Sequence, residues 1–484
     1  MPSDRKPPPP PRPPRRRSRV PDSALGRMGR IGWMAGELAV GGLVERARRA
    51  GAGLAGAAAD AAAQASGELP TSVLLTAANA ERLVRHLSRM RGAAMKLGQL
   101  LSLEGDDFLP EEFTRVLAAL RADADVMPEA QLEAVLREEL GPGWRERLPD
   151  FDPEPLASAS IGQVHAARSR AGRALAVKVQ YPGIARSIDG DVDNLARALR
   201  LSRLLPGDVD LAGIVAEAKR QLHAEADYRR EAEQLERYAR LLDDEPRVRV
   251  PGVERACTTR RVLAMERLHG LPLEDLRGPE HPQARRDAAG RLLYELLLRE
   301  LFEWRFTQSD PNLANFMWLA DEQQIGLLDL GAGHAVPAAL AKRYARMLLA
   351  CIADDREGIE EAARAIGFVS PDERADRVEG VVGLLREGGG AFAHAGLYDF
   401  ATSDLPERVR LLGLDLAFRR GFRRPPPPET LFLQRKLAGT FLLCARLRAR
   451  VPLREIAEPI LARAAQEEPE PEAGPEASVA CGRA

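Results

Sequence analysis

Asp310, Asn315 and Asp329 are the residues whose types and spacing could do chemistry. The first two stand in Thr307-Gln308-Ser309-Asp310-Pro311-Asn312-Leu313-Ala314-Asn315-Phe316, and a short apolar strand then leads to Leu328-Asp329-Leu330-Gly331. In this order Asp310 can face an attacking hydroxyl or water. Asn315 and Asp329 can converge on a Mg²⁺ that bridges nucleotide phosphates. An Asp and an Asn five positions apart are weak on their own, because loops are rich in both. The pattern gains weight from two elements upstream.

The first is a strand, tight loop and strand over Leu156–Ala167, with the small residues Ala157, Ser158, Ala159 and Ser160 in the loop. A turn at Ser169–Gly172 leads to a further strand, Arg173–Gln180, where Lys178 sits among Val177 and Val179. Such a loop lets backbone N–H groups approach phosphates, and a strand lysine neutralises them. The second is a helix predicted over Leu211–Leu242 that carries Glu225, Asp227 and Glu231. Asp227 and Glu231 share a face, whereas Glu225 and Asp227 lie about 200° apart on a regular helix. Glu231 can then pair with Lys178 while one of the other acids looks elsewhere; a plain charged helix face is the competing reading. The strand Arg261–Leu268, with Met265 and Glu266 before His269-Gly270, has the character of a hinge where an adenine ring would bond to backbone.

The remaining pattern is helical: Arg285–Trp304, Ala338–Ala353, Asp372–Arg386, Glu407–Phe418 and Glu429–Arg448. Upstream, Thr71–Leu103 reads as one helix holding Lys96-Leu97-Gly98-Gln99, and Pro128–Leu140 as another. Lys96 and Gln99 are one turn apart and share a face, which on spacing alone is an ordinary surface pair. Residues 1–24 are rich in Pro and Arg and read as a disordered tail. From Met28 to Val44 an apolar series is flanked by Arg27, Arg30, Arg46, Arg48 and Arg49. It fits a helix lying in a membrane interface, and equally one packed on the main domain. Gly51–Ala65 reads as linker or weak helix. No apolar run approaches the ~20 residues of a spanning helix, and no secretory signal is visible.

Composition narrows the function class. The net charge of −1 supplies no basic field for nucleic acid. The four cysteines are scattered, without a Cys-x-x-Cys, which argues for a reducing compartment and against structural zinc.

Six motifs occur in order: Lys96-x-Gly98-Gln99, Ala157 to His165, Val177 to Gly183, Glu225-x-Asp227-Tyr228, Asp310-Pro311-Asn312-x-x-Asn315-Phe316 and Asp329-x-Gly331. Together they resemble the UbiB/AarF/ADCK family of atypical kinase-like proteins over roughly residues 70 to 460. Leu433-Gln434-Arg435-Lys436-Leu437-Ala438-Gly439-Thr440-Phe441 looks closest to the coenzyme Q accessory kinase type. The resemblance implies an α+β, bilobal, protein-kinase-like fold with a mostly helical C-lobe and an N-terminal helical extension over the active site. It implies binding of ATP and ADP with Mg²⁺, ATPase activity, and support of isoprenoid quinone biosynthesis at a membrane. By position it makes Asp310 the catalytic acid, Lys178 and Glu231 the strand-lysine/helix-acid pair, and Asn315 and Asp329 the metal ligands. Ala157, Ser158, Ala159, Ser160, Lys178, Met265 and Glu266 would hold nucleotide. Lys96 and Gln99 belong to the extension, with Glu225 and Asp227 as its acidic partners. Ser158 and Ser309 depart mildly from the family's usual Ala and Thr.

Three features argue against peptide phosphorylation. The loop has Ala and Ser where conventional kinases have Gly, and a Cβ restricts close backbone approach. Asn312 replaces the lysine that conventional kinases place two residues after the acid. Asp329-Leu330-Gly331 runs almost directly into the helix at Ala338, which leaves no room for a peptide-docking segment. The expected organisation is therefore a tail (1–24), an interface helix and linker (25–70), an extension (71–150), an N-lobe (151–270), a C-lobe (271–462) and an acidic tail (463–484). The expected activity is an atypical kinase or ATPase, cytoplasmic or peripheral on an anionic membrane, with a lipid or quinone precursor as ligand. An ATP-binding scaffold and a small-molecule phosphotransferase are the alternatives.

Overall fold

Ala174–Gln180 is buried on both faces, with Leu175, Val177 and Val179 on one and Ala176, Lys178 and Gln180 on the other, as in a strand covered on both sides. A computed structural model places it at the centre of a sheet, and describes residues 126–202, 211–308, 312–319, 324–331, 333–422, 424 and 426–466. The tail, the interface helix with its linker, the Thr71–Leu103 helix with Lys96 and Gln99, and Ser309-Asp310-Pro311 lie outside the described residues. So does the acidic tail from 467; residues 463–466 end the last helix.

The chain divides into two compact units, one ending at Glu233 and regaining Val253–Arg267, the other formed by Gln234–Gly252 and everything from Leu268. The first opens with α1 (Glu129–Leu140) and the single turn α2 (Trp144–Arg147). β1 (Pro155–Ser158), β2 (Gly162–Arg168) and β3 (Ala174–Gln180) follow as an antiparallel meander. Helices α3 (Ile184–Ser202), α4 (Leu211–Glu225) and α5 (Tyr228–Leu241) come next, and α5 carries the chain into the second unit. There it forms β4 (Val248–Arg249) before returning to the first unit as β5 (Val262–Glu266), which pairs antiparallel with β3. The sheet order is β1-β2-β3-β5.

The single helix expected over Leu211–Leu242 is broken at Ala226-Asp227. Asp227 suits the break because its carboxylate accepts the N–H of Arg229 (3.1 Å) at the start of α5. The break also frees the Ala226 carbonyl, which accepts from the buried side-chain amide of Gln180 at 3.0 Å. Gln180 lies far away in sequence, so local pattern could not reveal this partner.

The second unit holds β6 (Leu271–Pro272), α6 (Gln283–Leu298), β7 (Phe306–Gln308), β8 (Phe316–Leu319), β9 (Gln324–Leu327) and β10 (Gly333–Ala335). β4, β9, β8 and β6 form one sheet in that order, and β7 pairs antiparallel with β10. Helices α7 (Ala338–Ala353), α8 (Arg356–Ile366) and α9 (Ala375–Ala393) follow, then the strand β11 (Tyr398–Asp399), α10 (Leu405–Leu414), α11 (Pro428–Leu447), the strand β12 (Arg450–Val451), which pairs antiparallel with β11, and α12 (Leu453–Gln466). α7 packs against α8 and α9 around Cys351, Ile359, Val378, Val382 and Leu416, and also against α12. The limits of α8 follow from its ends. Asp355 caps the first turn through the Gly358 N–H, and Gly367 supplies the left-handed conformation (φ 95°) that stops it. Two helices end otherwise than periodicity predicts. α6 passes into a π-helical turn at Arg299–Glu303, and α10 into another at Asp415–Arg419.

Candidate functional site

Lys178 is held in register between Val164 of β2 and Leu263 of β5. Its ammonium lies 2.6 Å from Glu231 Oε1, and both side chains are buried. Glu231 stands in the first turn of α5, where the helix dipole favours an acid. The ammonium also lies over the Tyr228 ring, 5.5 Å from its centroid. The pairing offsets the cost of taking both charges out of water.

The loop between β1 and β2 closes on itself. The Ala159 N–H donates to the Gly162 carbonyl (2.9 Å), so that amide serves the turn. The Ile161 carbonyl accepts from Tyr181 N–H at 3.0 Å, and the Ser160 hydroxyl donates to Glu225 at 3.2 Å. Gly162 is dictated by space: a Cβ there would lie 2.4 Å from the Val179 carbonyl oxygen and 2.9 Å from the Tyr228 hydroxyl. Small residues are therefore required where β2 crosses β3 beside α5.

Because α4 and α5 are separate, Glu225 and Asp227 are not related by a helical angle. Glu225 faces the loop through Ser160, while Asp227 caps α5 and lies 4.0 Å from Arg260. Met265 is buried in β5 and bridged on its outer side by Val253; Glu266 is opposite Leu175 of β3.

In the second unit, the β8–β9 hairpin brings Asn315 and Asp329 to one end. The Asn315 carbonyl accepts from Leu328 N–H at 2.8 Å, closing the hairpin's base just before Asp329. Asn312 accepts from the Ala314 N–H and shapes the short 3₁₀ turn Leu313–Asn315. Asp329 Oδ1 accepts from the Gly331 N–H (3.1 Å), which sets the carboxylate, and its carbonyl receives a long bond from the Gln308 amide at 3.4 Å. Asn, Asp and a buried Gln308 Oε1 without a hydrogen-bond partner make an all-oxygen donor set, the chemistry of a hard cation such as Mg²⁺. Among the described residues no group of three or more His, Cys, Asp or Glu could hold a metal.

Thus the structure pairs Lys178 with Glu231, ties Ser160 to Glu225, and sets Asn315 and Asp329 at one hairpin end. Lys178, Glu231 and the loop belong to the first unit; Asn315 and Asp329 belong to the second. Asp310, Lys96 and Gln99 lie outside the described residues. Sequence reasoning missed Gln180, Thr307, Gln308, Glu300 and Lys436 as buried polar residues. A polar residue in an otherwise apolar strand could have flagged Gln180; nothing local marks Glu300.

A family model for the ABC1 atypical kinase-like domain matches residues 119–363. The chain is 38% identical over 457 residues to "Atypical kinase COQ8B, mitochondrial" of Rattus norvegicus, covering 93% of this chain and 83% of the rat protein. It is 35% identical over 452 residues to "Atypical kinase COQ8, mitochondrial" of Saccharomyces cerevisiae, covering 92% of this chain and 86% of the yeast one. Among solved structures it is similar to Rv3197 of Mycobacterium tuberculosis, determined with erythromycin. The TM-score is 0.58 at 25% identity, over 80% of this chain and 97% of that one.

Proposed function

This chain belongs to the ABC1 atypical kinase-like family, and from that premise we propose that it is a Mg²⁺-dependent ATPase or phosphotransferase supporting ubiquinone or other isoprenoid quinone-lipid biosynthesis at a membrane surface. The observation that carries the catalytic part is the buried Lys178–Glu231 pair. A dehydrated ion pair is often no better for stability than packed apolar groups, so its upkeep points to a use for the lysine's charge. Lys178 would neutralise nucleotide phosphates. Asn315 and Asp329 would hold Mg²⁺, which when bound neutralises charge on the phosphates. Asp310 would face the acceptor hydroxyl or water, with Ala157 to Ser160 against the nucleotide and Met265 and Glu266 at the adenine. Lys96, Gln99, Glu225 and Asp227 would regulate access. The relatives' names support the quinone assignment. No helix among the described residues is long and apolar enough to cross a membrane; the apolar, Arg-flanked stretch Met28–Val44, outside the described residues, would be the contact.

Asp329→Asn tests the metal assignment. The amide oxygen can still accept the Gly331 N–H, so the fold should stay intact by thermal melt while Mg²⁺-ATP turnover falls to background. An unchanged rate removes Asp329 from the site. Following phosphate release against phosphorylated product, with and without anionic liposomes and phenolic quinone precursors, separates hydrolysis from transfer. Nucleotide binding without turnover in either would favour the scaffold.

A further inference from the structure

Lys436 and Glu300 meet 2.6 Å apart in the interior of the second unit, their side chains 5% and 1% exposed. Glu300 lies in the π-helical turn that ends α6, and Lys436 in the middle of α11. Three donors converge on this one carboxylate. Oε2 takes the Lys436 ammonium and the Thr307 hydroxyl (2.8 Å), and Oε1 takes the Tyr238 hydroxyl (3.1 Å). Tyr238 and Thr307 are fully buried. The phenol of Tyr238 is pushed well above its ordinary pKa by burial first and then by the Glu300 charge, so it remains a donor.

A buried carboxylate with this many directional partners sets orientation in a way that an apolar contact cannot. What it orients is β7. Thr307 is opposite His334 of β10, and Gln308 is opposite Gly333. Beyond Gln308 the chain enters the segment holding Asp310, and Asp329 lies just ahead of β10. The bases of both segments therefore rest on the β7–β10 pair, and Gln308 ties them again through the Asp329 carbonyl. A lone packing role would not call for a hydroxyl on the strand itself.

We infer that Glu300, fixed by Lys436 and Tyr238, is a positioning residue that holds β7 through Thr307 and so sets Asp329. The consequence for turnover rests on the role proposed above for Asp329; the anchoring of β7 does not.

Thr307→Val removes the hydroxyl, keeps the shape and leaves the Lys436–Glu300–Tyr238 contacts in place. In the full chain, amide exchange over residues 305–316 and 328–336 should speed up about tenfold, with α6 and α7 unchanged. The kcat of Mg²⁺-ATP hydrolysis should fall about tenfold with KM within about twofold, and Thr307→Ser should restore both. Tyr238→Phe, which deletes another donor to the same carboxylate, should act in the same direction. Unchanged exchange in those segments in both variants overturns the inference, as does a lowered Tm with kcat intact. Wild-type protein that hydrolyses no ATP would defeat the proposed function, and the exchange result would still decide this one.

Discussion

Lys178 Nζ and Glu231 Oε1 lie 2.6 Å apart, with the two side chains 8% and 6% exposed. Removing one partner leaves a dehydrated charge, so Lys178→Met should cost about 3–5 kcal/mol in urea unfolding. Lys178→Met combined with Glu231→Leu should recover most of that stability. It should recover none of the ATP turnover. Restored hydrolysis in the double variant would show that the lysine serves only the fold.

Gly162 tests how tightly β2 crosses β3. A Cβ would lie 2.4 Å from the Val179 carbonyl oxygen, which is backbone and cannot swing aside. Gly162→Ala should therefore destabilise by about 1–3 kcal/mol, the usual range for overpacking. Since the loop ends one residue earlier, at Ile161, weaker nucleotide binding should accompany the loss. An unshifted melting curve contradicts the crossing geometry.

Ala159 tests the loop. Its N–H already closes the turn onto Gly162, and its Cβ limits how far that turn can open. Ala159→Gly should lower stability by about 0.4–1 kcal/mol through the unfolded chain and change the ratio of ADP to ATP affinity. Titration with both nucleotides measures this, and equal ratios in the two proteins would remove the loop from nucleotide discrimination.

His165 gives a pH dependence. Its ring is buried between the Asp152 carbonyl at Nδ1 (2.9 Å) and the Gln163 side-chain nitrogen at Nε2 (3.0 Å), while Gln163 Oε1 accepts the Met127 N–H (3.0 Å). That chain of bonds makes Nε2 the acceptor, so the ring is neutral. Burial lowers the pKa below the ordinary 6.5, against the hydrogen bond to Asp152 and the charges of Asp152 and Glu154. The unfolded chain thus takes up the proton first. Stability is full above about pH 6.5 and is lost as pH falls toward the folded value. Urea midpoints should fall over that window in the wild type, and more shallowly in His165→Asn. Parallel curves would assign the loss to carboxylates elsewhere.

Much of the first unit was legible because strands and turns are local. The run Arg173–Gln180 marks a strand by Leu175, Val177 and Val179, and Gly172 marks the turn before it (φ 77°). The partnership of Lys178 with Glu231 followed from a lysine in an apolar strand and a helix bearing acids. The continuous helix assumed there was not correct. Asp227 carries a capping signal that is outweighed, on reading, by the helical periodicity around it. The Gln180 bond that completes the break depends on β3 lying under that bend.

By itself the sequence determined the residue types at the candidate centre, the strand and loop that present Lys178, and the family. The strand and loop follow from preferences that act within a few residues, and the family from the resemblance carried by six motifs in order. Only the tertiary structure decided that Ser160 meets Glu225, that Asn315 and Asp329 share a hairpin end, and that Lys436 is buried against Glu300. A lysine on a helix reads as a solvated face whichever partner awaits it. Whether its charge is dehydrated is settled by how distant segments pack, and no short-range preference carries that information.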